Sequence, residues 1–216
     1  MAKTALLIGA TGLVGEQCLT ALLQSNAYEK VIALTRSKLT TSDPKLENIV
    51  TYFEHLENLK DKMNADDVFC SLGTTISKAG SEEAFRRVDF EIPLQVAGWC
   101  AKNGAKQFIL VSSLGANEQS SIFYSRVKGE LENALKTVGF KTLLIFRPSI
   151  LLGNRKERRY GEEVGRFVAE KFPFLFAGPL KKYSGTPVDI LAAKMIHFAQ
   201  QNMTGVCVFE NEEILK

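Results

Sequence analysis

Short runs of consecutive apolar residues alternate along this chain with longer stretches in which apolar residues recur every three or four positions. The runs are Thr4-Ala5-Leu6-Leu7-Ile8, Val31-Ile32-Ala33-Leu34, Ile49-Val50-Thr51-Tyr52-Phe53, Val68-Phe69-Cys70-Ser71-Leu72, Phe108-Ile109-Leu110-Val111, Thr142-Leu143-Leu144-Ile145-Phe146 and Val206-Cys207-Val208-Phe209. Each is too short for a helix and lacks polar alternation, as expected of strands buried on both faces of a parallel sheet. The periodic stretches predict helices over Glu16 to Gln24, Phe85 to Lys102 and Tyr124 to Val138. Strand and helix in alternation imply a Rossmann-like, doubly wound α/β sheet of about seven strands with right-handed crossovers.

The polar stretch Ser37 to Asn48 reads as an exposed connection between the second and third strands. Texture changes only at 153–185, rich in Arg, Lys, Phe, Gly and Pro, where a helix is expected near 162–171 and the whole is expected to form a small substrate-side lid. A chain of 216 residues, 45% hydrophobic, buries one sizeable core and is too short for two ordinary domains, so 1–216 is read as a single domain.

Charge narrows the function. A net charge of +3 with 24% charged residues lacks the basic excess of a dedicated nucleic-acid binder. No apolar stretch is long enough to span a bilayer, so no membrane partner is expected. The opening Met1-Ala2-Lys3 lacks a signal-peptide core, and Cys18, Cys70, Cys100 and Cys207 are dispersed like buried, reduced thiols. A cytoplasmic location follows as the expectation. His55 and His197 have no partner pattern, so no metal site is expected. The run Arg155 to Arg159 reads as a solvated loop with a lesser reading as a phosphate attractor, and Phe167, Phe172, Phe174 and Phe176 read as lid packing.

Chemistry enters with Gly9-Ala10-Thr11-Gly12-Leu13-Val14-Gly15, which follows the first strand and opens the first helix. In Gly-x-x-Gly-x-x-Gly the first glycine makes the tight turn, the second admits a pyrophosphate to the backbone and the third lets helix and strand pack closely. The second strand ends in Leu34-Thr35-Arg36 where an NAD-preferring domain usually carries an acid, so Arg36 points to a 2′-phosphate and to NADP over NAD. Tyr124 and Lys128 stand at i and i+4 on one helix face, where the ammonium can stabilise a phenolate. Ser112-Ser113 ends the fifth strand, on the sheet edge where ligands bind.

The stretches GATGLVG, FCSLGTTISKAG, AFRRVD, VSSLGA, YSRVKGELE and FRPSILLG resemble the atypical short-chain dehydrogenase/reductases of the Tat-interacting-protein-like family. The resemblance implies that Tyr124 is the general acid/base, that Lys128 assists it and binds the nicotinamide ribose, and that a serine orients the substrate oxygen. Ser113 matches that serine, and Ser112 would lie nearer the cofactor. By the same resemblance Leu72, Gly73 and Thr74 line the cofactor after the fourth strand, and Pro148, Ser149 and Ile150 flank the nicotinamide. The family's relay Asn has only Asp89 near its place, and Tyr52 stands where many members carry an adenine-contacting Asp. Many members form homodimers through the helices matching Phe85 to Lys102 and Tyr124 to Val138.

The expected function is therefore an NADP-dependent oxidoreductase acting on a small carbonyl or alcohol through Ser113, Tyr124 and Lys128. A second reading is an NADPH-binding sensor or interaction protein with little catalysis. Nucleotide-sugar epimerase or dehydratase chemistry ranks lower, because few residues follow the sixth strand to build a sugar-nucleotide domain.

Overall fold

The structure is a computed structural model, and it describes residues 3–153 and 184–216. The apolar runs become strands β1 (Lys3–Ile8), β2 (Tyr28–Thr35), β3 (Leu46–Val50), β4 (Asp67–Cys70), β5 (Gln107–Val111) and β6 (Thr142–Arg147). A two-residue pair, β7 (Leu151–Leu152) with β8 (Thr186–Pro187), precedes the last strand, β9 (Gly205–Glu210). The main sheet has seven strands in the order β3-β2-β1-β4-β5-β6-β9, all parallel to their neighbours. Chain order reverses between β1 and β4, and that switch point is where an open α/β sheet leaves a crevice at its carboxyl edge.

Alternate strand residues feed two cores. Ala5 and Leu7 of β1 join Phe69, Ile109 and Phe146 on one face, under Cys18 and Leu22 of α1 (Leu13–Gln24) and Leu191 and Met195 of α6 (Val188–Ala199). Leu6 and Ile8 join Phe108 and Ile145 on the other, under Val96 and Cys100 of α4 (Ile92–Lys102) and Leu131 and Leu135 of α5 (Phe123–Lys136). Short helices α2 (Ile76–Ala79) and α3 (Glu82–Arg86) precede α4, and α7 (Asn211–Ile214) follows β9. Cys18, Cys70 and Cys100 are buried free thiols, each pushed up to about 12 by burial.

Three elements differ from the sequence reading. The third strand begins at Leu46 and ends at Val50, because Asn48 donates to Ala33 O (3.1 Å) and Thr35 Oγ1 (2.7 Å) and so earns a place in a half-exposed edge strand. The single helix expected over Phe85 to Lys102 is α3, a π-helical turn at Arg87–Glu91, and α4. Pro93 has no N–H to close an ordinary helical bond, and a widened turn accommodates that loss. Helix α6 was not anticipated, although Leu191, Ala192, Met195, Ile196 and Ala199 form its buried stripe. The expected helix near 162–171, the run Arg155 to Arg159 and the phenylalanines from Phe167 to Phe176 lie outside the described residues.

At the amino edge, the buried Asp67 carboxylate accepts from Tyr28 Oη (2.8 Å), Lys3 Nζ (3.0 Å) and Gln107 Nε2 (3.0 Å). Gln107 also donates to Ala199 O at 3.0 Å, which ties β1, β2, β4, β5 and α6 together. Burial first, then the Asp67 charge, pushes the Tyr28 phenol far above its ordinary value. Asp67→Ala is expected to cost about 3 kcal/mol, since it strands buried donors that water cannot reach. Urea unfolding measures it, and a loss below about 1 kcal/mol would show that the cluster does not brace the sheet.

Candidate active site

At the switch point β1 turns sharply through Gly9, whose φ of +88° is left-handed. The turn closes with Gly12 N–H on Gly9 O at 2.9 Å, and α1 starts at once. A Cβ on Gly15 would lie 1.9 Å from Gly9 O, and one on Gly9 would lie 2.6 Å from Leu72 N. The glycine turn, α1 and the loop after β4 therefore touch backbone to backbone. No side chain caps α1, so the first-turn N–H groups of Leu13, Val14 and Gly15 and the positive end of the helix dipole are available to an anion. The Val14 side chain is buried in the core and Leu13 packs against it, so these residues offer a ligand their main chain, while Thr11 is exposed. Arg36 is exposed immediately beyond the carboxyl end of β2, next to this turn.

On the other side of the switch point, Tyr124 occupies the first turn of α5, with its ring against Phe85 (centroids 5.7 Å apart). Lys128, one turn on, is buried, and its ammonium stands 2.7 Å from Asp89 Oδ1. Asp89 belongs to the π-helical turn and is fully buried, with Oδ2 accepting the Thr74 N–H at 2.8 Å. Burial alone would lower the Lys128 pKa, but the Asp89 charge, then the Tyr124 phenol and the Asp89 hydrogen bond, raise it above the ordinary value. Because the folded-state value is raised, the stabilisation is fully present below the unfolded pKa, throughout the neutral range, and is lost only as pH climbs through the folded one.

Strand alternation separates the two serines at the end of β5. Ser112 Oγ donates to Glu132 Oε1 at 2.5 Å, and Arg147 holds Glu132 through Nε (3.1 Å) and Nη2 (2.6 Å) while pairing Glu210 at 2.8 Å. The Ser112 hydroxyl, expected nearer a cofactor, is thus engaged within the fold. Ser113 Oγ is buried and has no hydrogen-bond partner among the described residues. A buried hydroxyl left unpaired costs free energy that a bound acceptor would recover.

After β6, Pro148 is buried and Ser149 is spent on structure. Its N–H reaches Thr186 Oγ1 (3.1 Å) and Asn211 Oδ1 (3.3 Å), and its hydroxyl bonds Ser184 O. Ile150 beside it is 42% exposed. Leu72 is half-buried, and Gly73 lies against the ion pair, 3.3 Å from Asp89 Oδ1 at its notional Cβ. The sequence reading missed Asp89 as the partner of Lys128. Its trace is an acid inside a predicted helix, just before Ile92-Pro93, among residues that must be buried.

The HIM1 family model matches residues 23–170, more than half of the chain. The chain belongs to the HIM1 family. It is 34% identical over 217 residues to Protein HTATIP2 of Rattus norvegicus, covering 99% of this chain and 88% of that one. It is 36% identical over 207 residues to Protein FMP52, mitochondrial, of Candida albicans, covering 92% and 89%. These matches bear out the resemblance that the motifs carry. They also correct the expected cytoplasmic location, because several fungal family members are named mitochondrial. That expectation rested on the lack of a secretory signal, which says nothing about a mitochondrial address. Among solved structures, the Bordetella bronchiseptica enzyme WbmH in complex with NAD+ superposes with a TM-score of 0.71 at 14% identity, over 97% of this chain and 76% of that one. The likeness shows a shared fold. Among the described residues no helix is long and apolar enough to cross a membrane.

Proposed function

We propose that this HIM1-family protein is an NADP-dependent oxidoreductase for a small carbonyl or alcohol. The observation that carries the reading is the buried Ser113 hydroxyl, without a hydrogen-bond partner among the described residues, on the same sheet edge as the Tyr124–Lys128 helix face. The residues present fit a dinucleotide: a tight glycine turn packed on neighbouring backbone, a helix N-terminus with no side-chain cap and a cation after β2. NAD in WbmH, on the same fold, supports a nicotinamide coenzyme. When bound, that coenzyme supplies or accepts hydride.

The chain's own residues do the rest. Backbone N–H groups at Leu13 to Gly15 hold the pyrophosphate, and Arg36 meets the 2′-phosphate. Ser113 Oγ–H donates to the substrate oxygen and fixes its position. Tyr124 Oη passes its proton to that oxygen as the carbonyl carbon is reduced, beside the Lys128 ammonium and its Asp89 partner. Exposed Ile122 and Ile150 at this edge suit a compact substrate with an apolar substituent better than a sugar nucleotide.

Titration with NADPH and NADH, followed by NADPH oxidation against a panel of alkyl and aryl aldehydes and ketones, tests the reading. Failure to bind either reduced coenzyme at millimolar concentration overturns it. Arg36→Ala is expected to weaken NADPH binding roughly tenfold and leave NADH unchanged, as loss of one charge-assisted contact to phosphate implies. An equal loss for both coenzymes would remove Arg36 from 2′-phosphate recognition.

A further inference from the structure

We propose that Asp89 is a positioning residue that balances the charge of Lys128, so that the site gives a proton to its substrate more readily than it takes one. The proposal rests on the oxidoreductase reading and adds its preferred direction, carbonyl reduction. A lone ammonium beside a phenol favours the phenolate, the form needed to pull a proton from an alcohol. Here a buried carboxylate stands 2.7 Å from that ammonium, and Tyr124 meets the weaker field of an ion pair. The protonated phenol, which is the acid that carbonyl reduction consumes, is favoured.

The pair is built to stay together. Thr74 N–H holds the second carboxylate oxygen at 2.8 Å, so Asp89 is gripped from the loop after β4 and from α5 at once. Around α5 two cations, Arg126 and Lys136, donate to the neutral acceptors Ser120 O and Asn133 Oδ1 and keep their charge, while Cys70, Glu130 and Glu132 are neutral or ion-paired. Cys70 of β4, beside Lys128, is kept as a thiol, its pKa pushed up to about 12 by burial. Glu130 pairs with Arg86 of α3, and Glu132 pairs with Arg147 of β6. Arg147 in turn meets Glu210 of β9, and the group packed on the Tyr124 ring is the apolar Phe85.

Asp89→Asn removes the charge and leaves one oxygen, which can accept from Thr74 N–H or from Lys128. Tyrosine labelled with carbon-13 at Cζ reports phenol ionisation by NMR without coenzyme or substrate, and the Tyr124 signal is the one absent from Tyr124→Phe. In Asp89→Asn the Tyr124 signal is expected to titrate at least about one pH unit lower than in the unmodified protein, the usual size of one nearby unbalanced charge. An unchanged midpoint overturns the proposal. Should Asp89→Asn fail to fold, the double variant Asp89→Asn, Lys128→Met removes both charges. Its Tyr124 midpoint is then expected within about half a unit of the starting protein, and a rise of more than about one unit would show that Lys128 acts unopposed. Coenzyme titration separates the two levels. NADPH binding with no NMR shift overturns the balance alone, and a shift without coenzyme binding overturns the oxidoreductase reading alone.

Discussion

Tyr124→Phe is expected to cut carbonyl reduction by about 10² to 10⁴-fold, the usual worth of one positioned proton donor, while leaving NADPH affinity within about twofold. The substitution removes only Oη. The ring that packs on Phe85 stays, α5 keeps its first turn, and the Lys128–Asp89 pair is untouched. Steady-state rates beside a direct binding titration therefore separate chemistry from folding. Full activity in the variant would eliminate Tyr124 as the acid, whereas NADPH binding with no carbonyl reduction by the unmodified protein would leave a coenzyme-bound interaction protein as the better account. Loss of coenzyme binding together with activity would show instead that the hydroxyl shapes the binding site.

Gly15→Ala is expected to destabilise the protein by at least about 3 kcal/mol and to abolish coenzyme binding. The added methyl has no rotamer by which to escape, and it would sit 1.9 Å from Gly9 O and 2.8 Å from Ser71 Oγ. Relief requires α1 to lift from β1, and the same movement opens the turn whose N–H groups meet the pyrophosphate. Chemical denaturation reads the first effect and NADPH titration the second. A stable variant with unaltered affinity would show that the close approach at this turn is dispensable to both.

Those two sites differ in how openly the sequence declares them. The glycine turn and the strands around it are local patterns, and β1, β4, β5 and β6 appear nearly where their apolar runs stand. Polar residues in β3 hid its true start, since Asn48 finds its partners on a neighbouring strand that no local window contains. Helix α6 was hidden because it follows a stretch of different texture, even though its own stripe is regular. The serine pair shows the same boundary. Alternation says that Ser112 and Ser113 face opposite ways, but only the position of Glu132 on α5 decides which hydroxyl is consumed. Asp89 and Lys128 meet through tertiary packing, and nothing in the spacing of either announces the other.

The pairing of β7 with β8 has a consequence for how this family can diverge. Leu151 aligns with Thr186 and Leu152 with Pro187, and Ser149, Thr186 and Asn211 knot the same spot with side-chain bonds. These two short strands thus form a clasp of their own, apart from the seven-stranded sheet. Such a clasp can tolerate a change of chain length between its anchors with the described strand registers kept, because the entropic cost of joining two points grows only slowly with the length between them.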